Sequence, residues 1–486
     1  PRTEDDMTDR SQSTAPLISW LREHGGELHG CSVLVDAQVG TKVLATGDVA
    51  AGASLISVPQ HLCLSFDTAL ANGFDVVVAD YPQLRQAPDE VLAAHLLAER
   101  RKGAESKWAP YLASLPREVD TPVCWEADEL ALLDGTTLRI MVDEMRKGLR
   151  RDFENIQQPL SEGYPALLSN VTEEEYAWAM SIIFSRTFSI DGKKYLVPVI
   201  DSFNHMPGAV SSIEDIVHID ESKGSDTAMW YFKAAQGFDL GDECTGFYGN
   251  YCNAKLLYSY GFTLREQAAK DAAVDFWVKA RPDDEVAGIK REVLARAPAE
   301  AELYSYNFQG TLKLNRIEPN LLWVVRIISL TTTEVPSAGK AFRGMISPEN
   351  EKKAYSALRA SLSAKLASLE ATAKRAGKSL EDLATDIDAK QELRKPVQAI
   401  GALGEVGVDV DLTDEEKGLR KSLRQYNALI VLEEETLVVR SCIQLIDSWL
   451  DRLEADGQDF IAADMAAPED DEEEEEQEQK SAREAT

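Results

Sequence analysis

Apolar periodicity switches repeatedly along this 486-residue chain, and the order of the switches constrains the fold more than any compositional value. Between Ser32 and Leu64, short β-branched runs at Ser32–Val35, Lys42–Ala45 and Ser54–Val58 alternate with Gly40, Gly47 and Gly52. Runs of this kind, punctuated by glycine, read as small strands. From residue 66 to 185 the apolar residues recur at three- and four-residue steps. That spacing predicts helices at Pro88–Arg101, Ala127–Leu133, Thr137–Ile156 and Thr172–Ser185. Strand signals return at Tyr195–Ile200, Met229–Ala234 and Cys244–Tyr248, with turn residues near 191 and 241. A short helix at Pro16–His24 precedes the whole. The pattern is that of an α+β domain of short strands, residues 15–263, split by a helical insert over about 66–185.

From about residue 264 the spacing is helical again, at Asp284–Arg296, Pro319–Leu330, Pro348–Ala376 and Asp414–Leu453, which predicts a separate all-α domain over 264–455. Residues 1–14 are polar. The acidic stretch 464–486 cannot bury enough apolar surface to fold and is expected to be disordered. Lysine and arginine number 51 against 83 aspartates and glutamates, a formal charge of -32, so a nucleic-acid backbone would be repelled and a basic protein partner is compatible. The acidic run Glu469–Glu478 is not the whole cause of that charge, because the rest of the chain stays strongly acidic without it. The six cysteines, at 31, 63, 124, 244, 252 and 442, form no close pairs, which argues against a zinc site and for a reducing compartment. No apolar run reaches the roughly 20 residues that span a bilayer. No signal or transit segment opens the chain, and its first residue, Pro1, is what trimming would leave.

Two segments concentrate the chemistry. In Val197–His205 an apolar strand ends in Asp201, Asn204 and His205, whose polar groups can fix a ligand at a strand end. In Gly241–Gly249 a strand ends at Tyr248 beside glycine, followed by Asn253 and the aromatic pair Tyr260 and Phe262. Such a ring cluster can surround a cation. Taken singly, each has a plainer reading. A tyrosine before glycine is ordinarily a half-buried strand end, Asn-His is ordinarily a turn, and Arg186 is ordinarily a helix-end charge. His24, His29, His61, His95 and His218 lack metal-ligand spacing.

In this order, about 40 residues apart, the two segments resemble the Asn-His motif and the closing tyrosine motif of the SET fold. The surroundings resemble the subfamily of Rubisco large-subunit lysine methyltransferase and actin-histidine methyltransferase. Trp108–Pro116, Trp125–Gly135, Trp178–Phe188 and Ser347–Glu351 carry that likeness, which runs from about Leu17 to Leu450. The resemblance implies an S-adenosylmethionine-dependent protein-lysine N-methyltransferase acting on a non-histone protein docked by the helical domain, without metal. Gly40 and Thr41 would pass their backbone along the donor, Arg186 would pair with its carboxylate, and Asn204 would hold its ammonium. His205 would offer backbone hydrogen bonds to the adenine, and Phe262 would pack on it. Tyr248 would be the central catalytic tyrosine, with Tyr260, at the donor, and Phe188, on the acceptor side, lining the channel walls and Asp201 bordering the acceptor.

A free lysine has a pKa of roughly 10.4, so about one in 2,500 is neutral at pH 7. An apolar channel and a nearby sulfonium charge would both favour the neutral amine. Lysine rather than histidine is expected as acceptor, because Phe188 and Ile200 stand where the histidine enzyme has asparagine and tryptophan. Two positions depart from the pattern. Lys42 stands where a second glycine is usual near the donor, and Lys255 replaces an acid after the central tyrosine. They motivate an alternative, a non-catalytic SET-fold adaptor or structural subunit of a larger assembly. The resemblance places the chain in the chloroplast stroma, with cytoplasm or nucleus as the alternative.

Overall fold

The computed structural model describes residues 15–36, 40–206, 217–220, 228–265, 274–279, 286–294, 307–393 and 414–456. The polar opening 1–14 and the acidic stretch 464–486 lie outside them. The chain divides into two compact units. One takes Pro1–Leu133, Leu138–Gln267 and Gly377–Ile430, the other Asp134–Thr137, Ala268–Ala376 and Val431–Thr486.

The first unit is built on small antiparallel sheets. Strands β1 (Glu27–Leu28), β4 (Ser54–Pro59), β8 (Val217–Asp220) and β9 (Met229–Lys233) form one sheet in the order β1-β4-β9-β8. A hairpin joins β2 (Cys31–Asp36) to β3 (Gly40–Ala45), and β5 (Leu64–Ser65), β6 (Thr187–Ile190) and β7 (Lys193–Leu196) pair in the order β5-β7-β6. Strand β4 is buried along nearly its whole length, which is why its apolar residues run together instead of alternating. Segment Cys244–Tyr248, expected as a strand, is held instead by single bridges from its neighbourhood: Glu243 to Leu44 of β3 and Gly246 to His205. A side chain at 246 would lie 3.2 Å from the Phe232 ring, so the glycine admits a close packing that a regular strand would not.

Between β5 and β6 the chain is helical, as its spacing predicts. Helix α1 (Ala15–Glu23) precedes the sheets; α2 (Pro88–Lys102), α3 (Thr137–Asp152) and α4 (Glu173–Arg186) are the long helices of the insert, and α5 (Asn253–Tyr260) follows the last bridges. Only one α-turn forms at Ala127–Leu130 before the backbone tightens to a 3-10 turn. Helix α4 starts at a capping box, in which Thr172 and Glu175 exchange side-chain to backbone hydrogen bonds, and its acidic first turn and terminal Arg186 both suit the helix dipole. Trp108, Tyr111, Trp125, Tyr176 and Trp230 are all buried in this unit.

The second unit holds α6 (Ala287–Leu294), α7 (Pro319–Ile328) and α8 (Pro348–Ala376). Helix α9 (Leu380–Leu393) belongs to the first unit, and the residues of α10 (Asp414–Asp456) are divided between the units after Ile430. This helical part also carries a three-stranded sheet, β10 (Val274–Lys279), β11 (Asn307–Lys313) and β12 (Arg316–Ile317), absent from the all-α expectation. Strand β11 contains Gly310 and lacks strict apolar alternation, so its pairing with β10 comes from long-range register and not from local pattern. In α7 and α8, Glu351 receives Arg326 through both carboxylate oxygens at 3.0 and 2.9 Å, with both side chains buried.

Candidate functional site

Helix α4 ends at Arg186 and the chain turns directly into β6, so Arg186 and Phe188 stand at the rim of one cavity. The return strand β7 leads to Val199, whose φ of 71° lies in the left-handed region although the residue is β-branched and fully buried. Such strain costs about 1–3 kcal/mol and persists only where the surroundings enforce it. The 3-10 turn Ile200–Ser202 follows directly and carries Asp201, which pairs with Arg186. Arg186 donates through Nη1 to the Asp201 backbone oxygen at 3.0 Å and lies 3.4 Å from its carboxylate. The Tyr111 hydroxyl donates to the same carboxylate at 2.8 Å. Burial pushes the Asp201 carboxyl above its usual range, while Arg186 and Tyr111 pull it back.

The cavity, about 430 Å³, is lined by Phe184, Arg186, Phe188, Asp201, Tyr248, Tyr251 and Tyr260, among others. Tyr248 donates its hydroxyl to the Phe203 carbonyl at 2.6 Å, and burial raises its pKa to about 12. It is therefore protonated at neutral pH and acts as a donor, not a base. Its ring lies 4.7 Å from that of Tyr260, between centroids, and Phe262 completes the cluster at 6.2 Å from Tyr260. Gly249 lets the Tyr251 ring pack close against the backbone. Its φ is 136°, and a Cβ there would sit 2.7 Å from the Tyr251 ring.

Beside the cavity, Asn204 donates from Nδ2 to the Thr41 carbonyl at 3.0 Å and to Glu243 Oε1 at 2.7 Å. His205 accepts the Tyr248 backbone N–H on Nδ1 at 3.2 Å, and burial lowers its pKa. The neutral ring must then carry its proton on Nε2, which is buried with no partner among the described residues. The structure thus brings Thr41, Arg186, Phe188, Asp201, Asn204, His205, Tyr248, Tyr260 and Phe262 into one region. Gly40 opens β3, paired with Asp36, and the adjoining residues 37–39 lie outside the described residues.

The two departures fall away from the cavity. On β3, Thr41, Val43 and Ala45 are buried, so the pleat puts Lys42 on the opposite face, and it does not line the cavity. Lys255 is exposed on α5 with its Nζ 5.5 Å above the Tyr258 ring. Three contributors escaped sequence reasoning. Tyr111 lies within the Trp108–Pro116 stretch that carried the resemblance, Phe203 contributes only a carbonyl, and Glu243 has no signal beyond its place in the closing motif.

These residues present what an S-adenosylmethionine molecule requires. Arg186 has Nε and Nη2 without a protein partner among the described residues, suited to a carboxylate. Asn204 keeps its carbonyl oxygen for an ammonium, and the ring cluster suits an adenine and a sulfonium. Among the described residues no His, Cys, Asp and Glu side chains converge as a metal site, and no helix is long and apolar enough to cross a membrane.

The Rubisco LSMT substrate-binding family matches residues 281–435. The actin-histidine N-methyltransferase of Mus musculus is 26% identical over 334 residues, covering 66% of this chain and 53% of that protein. That of Xenopus tropicalis is 25% identical over 393 residues, covering 75% and 64%. The chain therefore spans roughly half to two thirds of the length of these relatives. These relatives are animal proteins and lend no support to a chloroplast placement. Among solved structures, the SET domain of LSMT bound to lysine and AdoHcy superposes with a TM-score of 0.68 at 21% identity, covering 92% of each chain. Rubisco LSMT bound to sinefungin and monomethyllysine gives 0.67 at 20%, covering 95% of this chain and 99% of that one. The chain is thus similar in fold to Rubisco LSMT and in sequence to actin-histidine N-methyltransferase, and its residues 281–435 match the Rubisco LSMT substrate-binding family.

Proposed function

We propose that this chain is an S-adenosylmethionine-dependent protein methyltransferase that modifies a lysine of a non-histone protein. Residues 15–263 would form the reaction domain and residues 264–455 the domain that docks the substrate protein. The observation that carries this reading is the meeting of Arg186, Asp201, Tyr248 and Tyr260 at one aromatic cavity, beside an Asn204 carbonyl oxygen left open.

When bound, the donor supplies an electrophilic methyl group on a sulfonium. Arg186 holds its carboxylate, Asn204 its ammonium, the His205 backbone and Phe262 its adenine, and the Gly40–Thr41 backbone runs alongside. The amine enters between Phe188, Tyr248 and Tyr260, whose rings exclude water and so favour its neutral form. Asp201 does not oppose this, because Arg186 and Tyr111 already compensate its carboxylate. Tyr248 keeps its proton and offers a fixed dipole at the reacting end, so the remaining contribution is alignment of nucleophile, carbon and sulfur. Phe188 and Ile200 support lysine; the names of the 26%-identical relatives favour histidine as the second reading.

The test is incubation of cell extract with labelled donor and the purified chain or its Tyr248→Phe variant, with the modified residue identified by mass spectrometry. Label on a lysine that disappears in the variant is expected. Label on histidine selects the second reading. No labelled protein, together with no retention of the donor, would leave the non-catalytic adaptor.

A further inference from the structure

We propose that Glu243 is a positioning residue of the donor subsite, which commits Asn204 to face the donor's ammonium with its carbonyl oxygen. This rests on the methyltransferase reading above.

A side-chain amide can point either way, and its partners decide which. The Thr41 carbonyl and the Glu243 carboxylate can only accept, and they lie 3.0 and 2.7 Å from Asn204 Nδ2. Both amide hydrogens are therefore committed. The oxygen must point the other way, where no donor meets it among the described residues. An ammonium satisfies such an oxygen and a carboxylate does not. With Glu243 removed, only Thr41 would constrain the amide, and the flipped form would lose one bond fewer.

The backbone makes this clamp rigid. Glu243 bridges Leu44, and Cys244 donates to the Val43 carbonyl at 2.8 Å, so Glu243 is carried on β3, the strand that supplies the Thr41 carbonyl. Gly246 N–H in turn donates to the Asn204 backbone carbonyl at 2.8 Å, which fixes the Asn204 main chain from its own side. The half-buried carboxylate also places a negative charge next to the expected cation, where a charge-assisted contact is stronger than a neutral one.

The experiment measures affinity, not turnover. The full chain, Glu243→Ala and Glu243→Gln are titrated with S-adenosylhomocysteine, which carries the amino-acid end, and with 5′-methylthioadenosine, which lacks it. Glu243→Ala is expected to weaken S-adenosylhomocysteine about tenfold and leave 5′-methylthioadenosine unchanged, the size of one charge-assisted hydrogen bond. Glu243→Gln keeps an acceptor for Asn204 without the charge, and is expected to show a smaller loss, about threefold, with the same selectivity. Unchanged affinity for S-adenosylhomocysteine, or an equal loss for both ligands, overturns the proposal; if the alanine variant does not fold, the glutamine variant decides on the same criteria. If the unaltered chain binds neither ligand, the methyltransferase reading itself fails. Binding that Glu243→Ala leaves intact sinks the role of Glu243 alone.

Discussion

His95 links the fold of the insert to pH in a way that can be measured. It lies on α2, fully buried, with its ring 5.8 Å from Phe74 and 5.3 Å from Trp108, and neither ring nitrogen has a partner among the described residues. Burial lowers its pKa from 6.5 to about 4, with Glu99 opposing the drop and Lys102 and Lys107 reinforcing it. The folded chain therefore resists protonation that the unfolded chain accepts. Stability is complete above pH 6.5 and falls as pH drops toward about 4. At about 1.4 kcal/mol per pH unit, the whole window is worth about 3 kcal/mol. Near the isoelectric point of about 4.6 solubility is least. The useful range is thus about pH 7.5 to 5.5, across which His95 alone should remove about 1.4 kcal/mol. Replacing it by leucine removes the titration and two unpaired polar atoms while nearly conserving volume. Urea unfolding followed by tryptophan fluorescence, for the unaltered chain and His95→Leu, gives the difference directly. The variant should be at least as stable at pH 7.5 and should gain about 1.4 kcal/mol on the unaltered chain by pH 5.5. A difference that stays flat with pH, or a variant clearly weaker at pH 7.5, would refute the reasoning.

Two further perturbations probe packing. Gly261 caps α5 with φ of 82°, and a Cβ there would meet the Asp120 carbonyl carbon at 2.8 Å, so Gly261→Ala should lower stability by more than about 1 kcal/mol and disturb Phe262, as read by thermal unfolding and donor affinity. In the second unit, Glu351→Ala removes the carboxylate that pairs with the buried Arg326 and accepts from the Tyr355 hydroxyl; a loss of about 3–5 kcal/mol is expected in urea unfolding.

The long helices were legible because cap, dipole and spacing agree locally; Thr172, Glu175 and Arg186 mark both ends of α4. The residues of the site were legible as motif positions, yet their contacts were not. Tyr111 meets Asp201 across 90 residues, and Asn204 meets Glu243 across 39, and no local period encodes either meeting. The same holds for β10 and β11, paired across a long connection, and for Cys244–Tyr248, where Gly246 trades a regular strand for a close approach to Phe232. Lys42 shows the opposite case. A lysine where a glycine is usual near the donor motivated the non-catalytic alternative, and only the pleat of β3 reveals that it faces away from Thr41.

Isothermal titration of the purified chain with S-adenosylhomocysteine tests the central claim most directly. One molecule per chain should bind, with affinity sharply reduced in Asn204→Ala and Arg186→Met while both variants remain folded. A folded, unaltered chain that gives no binding heat at any concentration would contradict the account.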